Sequence, residues 1–289
     1  MLFETGMRPY PGALQRNRRE IMPENDTTKK TTTKTVVFCG GSKGGIGKSL
    51  MAGSMTDCLL EHKIDVALID ADKANPDAAL WCGPLSKERH FKIPLLDEWD
   101  PLLDKIPEVE AGVVIVNMGA GDAPLFVEQG GMLRRVAKEE GWRLVLGYLL
   151  SPTFGSIRPL FQVAGAIRPW AELCVLKNQY FPAEHLVLWE EMTLKDKNTV
   201  VSKDVRGRGI TELDFPLLPG RVLLHAHRPG FKGLLEAQRS AHGAKRVRVE
   251  DYRDQILYVA RAMKLGESLP EARYKPAPPR KSASPAEEE

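Results

Sequence analysis

Cysteine is scarce in this sequence, with four residues in 289, and the four lie far apart rather than in the close pairs typical of zinc sites: Cys39, Cys58, Cys82 and Cys174. We therefore expect reduced thiols. Long apolar runs are also lacking, because no segment approaches the roughly 20 residues that a membrane-spanning helix needs. The N-terminus has no apolar signal core. These absences predict a cytoplasmic location and no membrane contact.

A strong charge of either sign is lacking too. Lysine and arginine total 41, aspartate and glutamate 38, and the net charge is +3. Such a balance excludes a chain that is basic over its whole surface, as a general nucleic-acid binder would be, but leaves a local basic face possible. The length allows one large domain or two small ones, and 43% hydrophobic residues can fill a substantial core.

The chain is organised around a glycine-rich stretch, Gly40-Gly41-Ser42-Lys43-Gly44-Gly45-Ile46-Gly47-Lys48-Ser49. An apolar, β-favouring run at 36–38 precedes it and a helix-compatible run at 50–60 follows it. Strand, glycine loop and helix in this order are the layout of a phosphate-binding loop. Glycines let consecutive N–H groups point at one anion, and the helix adds its positive end.

Two side chains of this stretch suit a bound triphosphate. Lys48 can reach the β- and γ-phosphates, and the hydroxyl of Ser49 can ligate Mg²⁺. The alternative is a glycine loop without a ligand. The residues expected to hold the nucleotide here are Gly44, Gly45, Ile46, Gly47, Lys48, Ser49 and Leu50.

The loop departs from the general phosphate-loop pattern, because Ser42 stands where a glycine is usual and Lys43 follows it. Lys-Gly-Gly-x-Gly-Lys-Ser is the deviant Walker A form, and in it the sequence resembles the ParA/MinD family of dimerising P-loop ATPases. The resemblance implies ATP and Mg²⁺ as cofactors, an ATP-dependent homodimer, and a catalytic role for Lys43 at the partner's nucleotide.

Two carboxylates follow the next apolar run, which covers residues 65–70. Asp70 and Asp72 would lie at the carboxyl edge of a parallel sheet, where ligands bind. By resemblance to the family's Leu-Ile-Asp-x-Asp pattern, Asp72 is the catalytic candidate and Asp70 the candidate on the metal side. The alternative is that both simply cap the following turn.

A third apolar run, 112–117, matches the family's Walker B strand and is followed by a glycine-rich second switch. The family has aspartate at the strand end, whereas this chain has Asn117. Asparagine carries no charge and interacts weakly with Mg²⁺-bound water, so Asn117 on the metal side puts fast hydrolysis in doubt. Asp122, Asp70 or Asp72 could compensate.

The base is expected to bind near two later strand ends. Asn178 ends the strand at 173–178, and the resemblance implies that it reads the adenine edge; an ordinary Asx turn is the alternative. Pro216 lies in the family's last strand and proline turn, whose backbone flanks the adenine. The guanine-specific Asn-Lys-x-Asp is absent, since the order is Lys177-Asn178-Gln179-Tyr180.

Apolar strands alternate with helices from residue 35 to about 263. This alternation predicts an α/β fold with a mostly parallel sheet and helices on both faces, the three-layer αβα P-loop NTPase fold. We expect a flexible arm at 1–34, the ATPase domain at 35–265 and a disordered tail at 266–289. The polar segment 196–209 reads as a loop or exposed hairpin.

These features predict an ATP-binding, slowly hydrolysing, dimerising switch, which the resemblance associates with plasmid or DNA partition or conjugative transfer. Its partners would be DNA or a protein that stimulates hydrolysis. DNA could contact the arm, the 196–209 segment or the basic residues of 239–248, although a solvated surface explains each of them. The alternatives are a nucleotide-dependent binding module that does not hydrolyse ATP and a small-molecule kinase with Arg206 and Arg208 in its lid.

Overall fold

Strands and helices alternate along a computed structural model that describes residues 33–94, 99–122, 124–182, 187–194, 199–218, 230 and 243–276. The strands are β1 Thr35–Gly40, β2 Val66–Asp70, β3 His90–Lys92, β4 Val113–Asn117, β5 Arg143–Leu150, β6 Glu172–Asn178, β7 Thr193–Leu194, β8 Thr199–Val200 and β9 Thr211–Phe215. The helices are α1 Lys48–Glu61, α2 Asp100–Glu108, α3 Leu125–Glu128, α4 Gly130–Glu139, α5 Phe154–Ile167, α6 Val187–Glu191, α7 Val201–Gly207 and α8 Gly243–Ala262, with a 3₁₀ turn at Ala78–Trp81.

Seven of the described strands form one sheet in the order β3-β2-β4-β1-β5-β6-β9. All neighbouring strands in it are parallel. Every residue of β1, β2 and β4 is buried, as expected for a parallel sheet covered on both faces. Because β1 lies between β4 and β5, the loop after β1 opens at the carboxyl edge of the sheet near its middle, where α/β folds bind ligands.

Side chains of β1 alternate between two separate cores. Val36 and Phe38 pack in one core with residues of α2, α4 and α5, whereas Val37 and Cys39 pack in the other with residues of α1 and α8. Period-two alternation therefore sends one strand into both layers. The predicted three-layer fold, with a parallel sheet between helices, is confirmed.

The segment 196–209 differs from the expected loop or hairpin, because residues 201–207 form α7. Val201 and Val205 are fully buried in the core that contains Trp189. Their spacing of four residues places both on one face of a helix, and burial of that face outweighs the polarity of the surrounding sequence.

Parts of the predicted terminal segments lie outside the described residues, namely 1–32 and 277–289, and so does 239–242 of the basic stretch. Lys245, Arg246 and Arg248 lie on α8, where Arg246 forms an ion pair with Glu250 over 2.8 Å. Among the helices that the structure describes, none has the length and apolar character to cross a bilayer.

Candidate nucleotide-binding site

The glycine-rich loop joins the end of β1 to the start of α1. Gly45 and Gly47 have φ angles of 71° and 97°, in the left-handed region that glycine adopts without strain. Gly47 is the residue that directly precedes α1. Lys43, Gly44 and Gly45 are exposed, whereas Ile46 is buried. The loop therefore presents its backbone outward at the positive end of α1, as an anion site requires.

Lys48 turns its side chain back along this loop. Its Nζ donates a hydrogen bond to the backbone carbonyl oxygen of Lys43 over 2.7 Å, and the residue is only 5% exposed. Burial lowers the pKa of the Lys48 ammonium, and the nearby charges of Asp72 and Asp122 act in the opposite direction. A cation is thus held inside the curl of the loop.

Asp70, Asn117 and Ser49 meet at the carboxyl edge of the sheet. Asp70 and Asn117 are direct neighbours on β2 and β4, and both are fully buried. The Asn117 amide nitrogen donates to Asp70 Oδ1 over 2.8 Å and lies 3.5 Å from Ser49 Oγ. Three segments that are distant in sequence therefore place oxygen-bearing side chains at the first turn of α1.

Asp70 uses both of its carboxylate oxygens within the protein. Oδ1 accepts from Asn117, and Oδ2 accepts from the backbone N–H of Ala78 over 2.9 Å. Burial raises the pKa of this carboxyl group, and these hydrogen bonds partly offset the effect. The bond to Ala78 also ties the 3₁₀ turn to the site.

Asp72 lies in the loop after β2, close enough to Lys48 for their charges to interact. Its Oδ1 accepts from the backbone N–H groups of Ala74 and Asn75, over 2.9 and 3.0 Å. Asp72 therefore caps the following turn, as the alternative interpretation predicted, and its charge also acts on Lys48 of the phosphate loop. The two interpretations are compatible, because a carboxylate oxygen accepts more than one hydrogen bond.

The loop after β4 lies against the phosphate loop. A Cβ atom built on Gly44 would be 3.7 Å from the Cβ of Ala120. In the same loop, the backbone N–H of Gly119 donates to Asp122 Oδ2 over 2.6 Å. Burial raises the pKa of Asp122, with the bond to Gly119 and the charge of Lys48 opposing the shift. From the sequence, Asp122 was considered only as one of three carboxylates that could compensate for Asn117, because it is a carboxylate within a glycine-rich switch.

Asn178, at the end of β6, contacts the phosphate loop itself. Its Nδ2 donates to the backbone carbonyl oxygen of Ile46 over 2.7 Å, and its Oδ1 accepts from the N–H of Tyr180 over 2.9 Å. The Asx turn considered from the sequence is therefore formed. Pro216 is buried and follows Phe215, which pairs with Asn178 across β6 and β9. The two residues predicted to flank the base thus lie at the same edge of the sheet.

Lys43 lies over the first turn of α5 of its own chain. A Cβ built on Gly155 would come within 2.9 Å of Lys43 Cε, and Ser42 Oγ donates to the Gly155 carbonyl oxygen over 2.6 Å. Ser42 and Gly155 are 113 positions apart in the sequence. Local sequence carries no signal for such a contact.

The oxygen atoms near Ser49 suit a hydrated Mg²⁺ that binds together with the phosphates of a nucleotide. Asn117 Oδ1 is buried and accepts no hydrogen bond from the described residues, so it has room for a donor such as metal-bound water. Within those same residues, no group of three or more acidic, histidine or cysteine side chains forms a metal cage.

No family model matches the sequence. Protein MobD of Acidithiobacillus ferrooxidans is 28% identical over 151 residues, which are 52% of this chain and 66% of that protein. The chain thus spans just under two thirds of that relative's length.

Two solved structures are similar in three dimensions. The ParA family ATPase of Chlorobium tepidum TLS is 14% identical with a TM-score of 0.45, over 77% of this chain and 98% of that one. In the MinC:MinD cell division protein complex of Aquifex aeolicus the match is 16% identical with a TM-score of 0.47, over 84% and 100%. By its phosphate loop and its parallel sheet, the chain is an α/β P-loop protein that resembles the ParA/MinD ATPases.

Proposed function

We propose that this protein binds ATP with Mg²⁺ at the loop 43–50 and acts as a dimerising ATPase switch. The observation that supports it most directly is Lys48, whose buried ammonium lies against the Lys43 carbonyl inside the loop. A buried cation is costly unless anions surround it, and a triphosphate would add several anionic partners to the nearby charges of Asp72 and Asp122. Ser49 would contribute its hydroxyl to the metal, and the N–H groups of the loop would bind the phosphates.

The remaining residues have roles in positioning. Asn117 and Asp70 would orient the water molecules around the metal, which, when bound, neutralises charge on the β- and γ-phosphates. Asp72 is the catalytic candidate, as the carboxylate that would orient the attacking water. Asn178 and Pro216 would border the adenine, with Asn178 at the same time bracing Ile46.

Lys43 would complete the site of a second subunit. Its side chain is exposed and leans on Gly155 at the surface, so it can leave this contact at little cost. Two chains would then face each other over two nucleotides, and hydrolysis would set the lifetime of the dimer. By resemblance alone, the dimer would act in DNA partition or conjugative transfer through DNA or a stimulating partner protein.

A nucleotide-dependent binding module that scarcely hydrolyses ATP is the second candidate. The neutral Asn117 favours it, and so does Asp70, whose two oxygens are both bonded within the protein. A kinase has less support, because Arg206 is bonded to Glu190 and Glu212 and Arg208 to Asp204. Both arginines would have to leave these ion pairs to face a transferred phosphate.

Analytical ultracentrifugation with ADP, ATP and a slowly hydrolysed ATP analogue tests the proposal. We expect a monomer with ADP and a dimer with the analogue. A phosphate-release assay with ATP should show hydrolysis that DNA or a partner protein accelerates. Dimers with ATP but no stimulated phosphate release would select the binding module. If calorimetry detected no heat of binding with any adenine or guanine triphosphate and Mg²⁺, both the ATPase switch and the binding module would be refuted.

A further inference from the structure

The side of the site next to Ser49 has little available negative charge. Asn117 is neutral and fully buried there. Asp70 beside it is also fully buried, and its two oxygens accept hydrogen bonds from Asn117 and Ala78, which leaves fewer acceptor positions for a hydrated metal. A hydrated dication is stabilised by acceptors and negative charge close by, so a second carboxylate would strengthen this side of the site.

Asp122 is such a carboxylate, and the fold holds it beside the phosphate loop. Its Oδ2 accepts the backbone N–H of Gly119 over 2.6 Å, which fixes the side chain back on its own loop. Position 119 must remain small for this contact, because a Cβ there would lie 2.8 Å from Asp122 Oδ2. The same loop passes close to Gly44, because a Cβ built there would be 3.7 Å from the Cβ of Ala120, so Asp122 lies in a segment that borders the phosphate loop.

Asp72 follows β2 and Asp122 follows β4, and these two strands are neighbours in the sheet. The charges of both carboxylates favour the Lys48 ammonium, and the charge of Asp72 contributes to the raised pKa of Asp122. When Lys48 binds the phosphates of a nucleotide, the two carboxylates would remain at the same edge of the sheet as the nucleotide's metal.

We propose that Asp122 is a positioning residue that supplies the negative charge missing at Asn117, by accepting hydrogen bonds from the water shell of nucleotide-bound Mg²⁺. This inference rests on the proposed function, because it concerns the same site. Asn117 Oδ1, a buried acceptor without a donor among the described residues, shares the role from the strand side. The loop after β4 would thereby contact the metal's water shell through the carboxylate of Asp122, whereas Asn117 at the end of β4 contributes only a neutral amide.

Asp122→Asn is the central variant, because its amide oxygen can still accept the Gly119 N–H while the charge is lost. Calorimetry with a slowly hydrolysed ATP analogue, at several Mg²⁺ concentrations and in EDTA, measures how much Mg²⁺ tightens binding. We expect affinity in Mg²⁺ to fall by about 10- to 100-fold, the scale of a charge-assisted hydrogen bond. Affinity in EDTA should change little. Glu128→Gln, at an exposed acid on the adjoining helix α3, is the matched control and should behave as the parent.

Rescue separates a charge role from a structural one. In the double variant Asn117→Asp with Asp122→Asn, the carboxylate returns on the strand, so most of the Mg²⁺ dependence should return as well. Asp122→Ser gives the same comparison with a smaller acceptor if the asparagine variant does not fold. Unchanged Mg²⁺ dependence in Asp122→Asn overturns the inference, and so does a loss that Asn117→Asp leaves unrescued. A parent protein that binds no nucleotide would instead refute the proposed function itself.

Discussion

Lys48 Nζ donates a hydrogen bond over 2.7 Å to the carbonyl oxygen of Lys43, so the two lysines of the phosphate loop are directly joined. One of them is buried and bonded through its side chain, whereas the other contributes only its backbone and keeps its ammonium at the surface. This division implies that the two side chains have different tasks, which substitutions can separate.

Lys48→Ala should abolish nucleotide binding. The variant loses the one buried ammonium that the loop holds for the phosphates, and charge-assisted hydrogen bonds of this kind contribute about 1.5–3 kcal/mol each. Calorimetry with ATP and Mg²⁺ should show an affinity at least ~100-fold weaker, from two or more such bonds. Lys138→Ala, at an exposed lysine on α4, should bind as the parent does. Retention of full affinity by Lys48→Ala would remove the phosphate role of this residue.

Lys43→Ala should leave nucleotide affinity nearly unchanged and abolish ATP-dependent dimerisation and turnover. The reason is that its backbone carbonyl, which contacts Lys48, remains, while the exposed ammonium is lost. Sedimentation with the ATP analogue and phosphate release with ATP measure the two effects. The proposed role of Lys43 at the second subunit is wrong if the variant dimerises and hydrolyses ATP as the parent does.

Asn117→Asp should raise phosphate release if the missing charge limits turnover, and it should lower the stability of the nucleotide-free protein. The new carboxylate would replace an amide that lies 2.8 Å from Asp70 Oδ1, so two like charges would face each other. Burial already raises the pKa of Asp70, and the added charge would raise it further.

The pH dependence of this variant follows from that direction. A carboxyl group with a folded pKa above its unfolded value, about 4, favours folding below the unfolded pKa, and the benefit is lost as pH rises through the folded pKa. Relative to the parent, Asn117→Asp should therefore lose stability progressively from about pH 4 towards neutral pH. Urea unfolding at several pH values measures it, with Asn117→Ala as a control that removes the hydrogen bond without adding charge. A difference from the parent that does not vary with pH would contradict this account.

Asn178→Asp should weaken the loop while keeping the side chain's size. The variant replaces the Nδ2 donor with an oxygen, so the carbonyl oxygen of Ile46 loses its partner and faces a like charge. An unsatisfied buried group costs about 1–3 kcal/mol. We expect that loss in unfolding free energy, together with weaker ATP binding. Asn178→Ala should show the first effect without the added repulsion. Parent-like stability in both variants would mean that the bond to Ile46 contributes nothing measurable.

Local patterns accounted for much of the architecture. The predominantly apolar runs at 65–70 and 112–117 form β2 and β4 with bounds within about one residue of those expected, because a fully buried parallel strand is apolar along most of its length. Helix α7 was not predicted, because its local sequence offers only one pair of helically spaced valines, Val201 and Val205, among polar residues. Only the core that receives Val201 and Val205 makes that pair decisive.

The candidate site was predictable in part for the same reason. The phosphate loop lies in one continuous stretch, so its residues are neighbours in any fold that keeps the strand and helix around it. The hydrogen bond between Asn117 and Asp70 joins residues 47 positions apart, and that between Asn178 and Ile46 spans 132. Such contacts depend on the strand order, which no local pattern specifies.

The sequence by itself determined the strand–loop–helix that curls around Lys48, because glycine freedom, a buried apolar strand and a helix start are all local properties. It also determined the neutral side chain at position 117. Tertiary structure alone decided that Asp70 would be bonded on both oxygens, that the charges of Asp72 and Asp122 would act on Lys48, and that Lys43 would lie against Gly155. The physical reason is that a parallel sheet gathers the carboxyl ends of strands that are far apart in the chain, and only its strand order sets which side chains meet there.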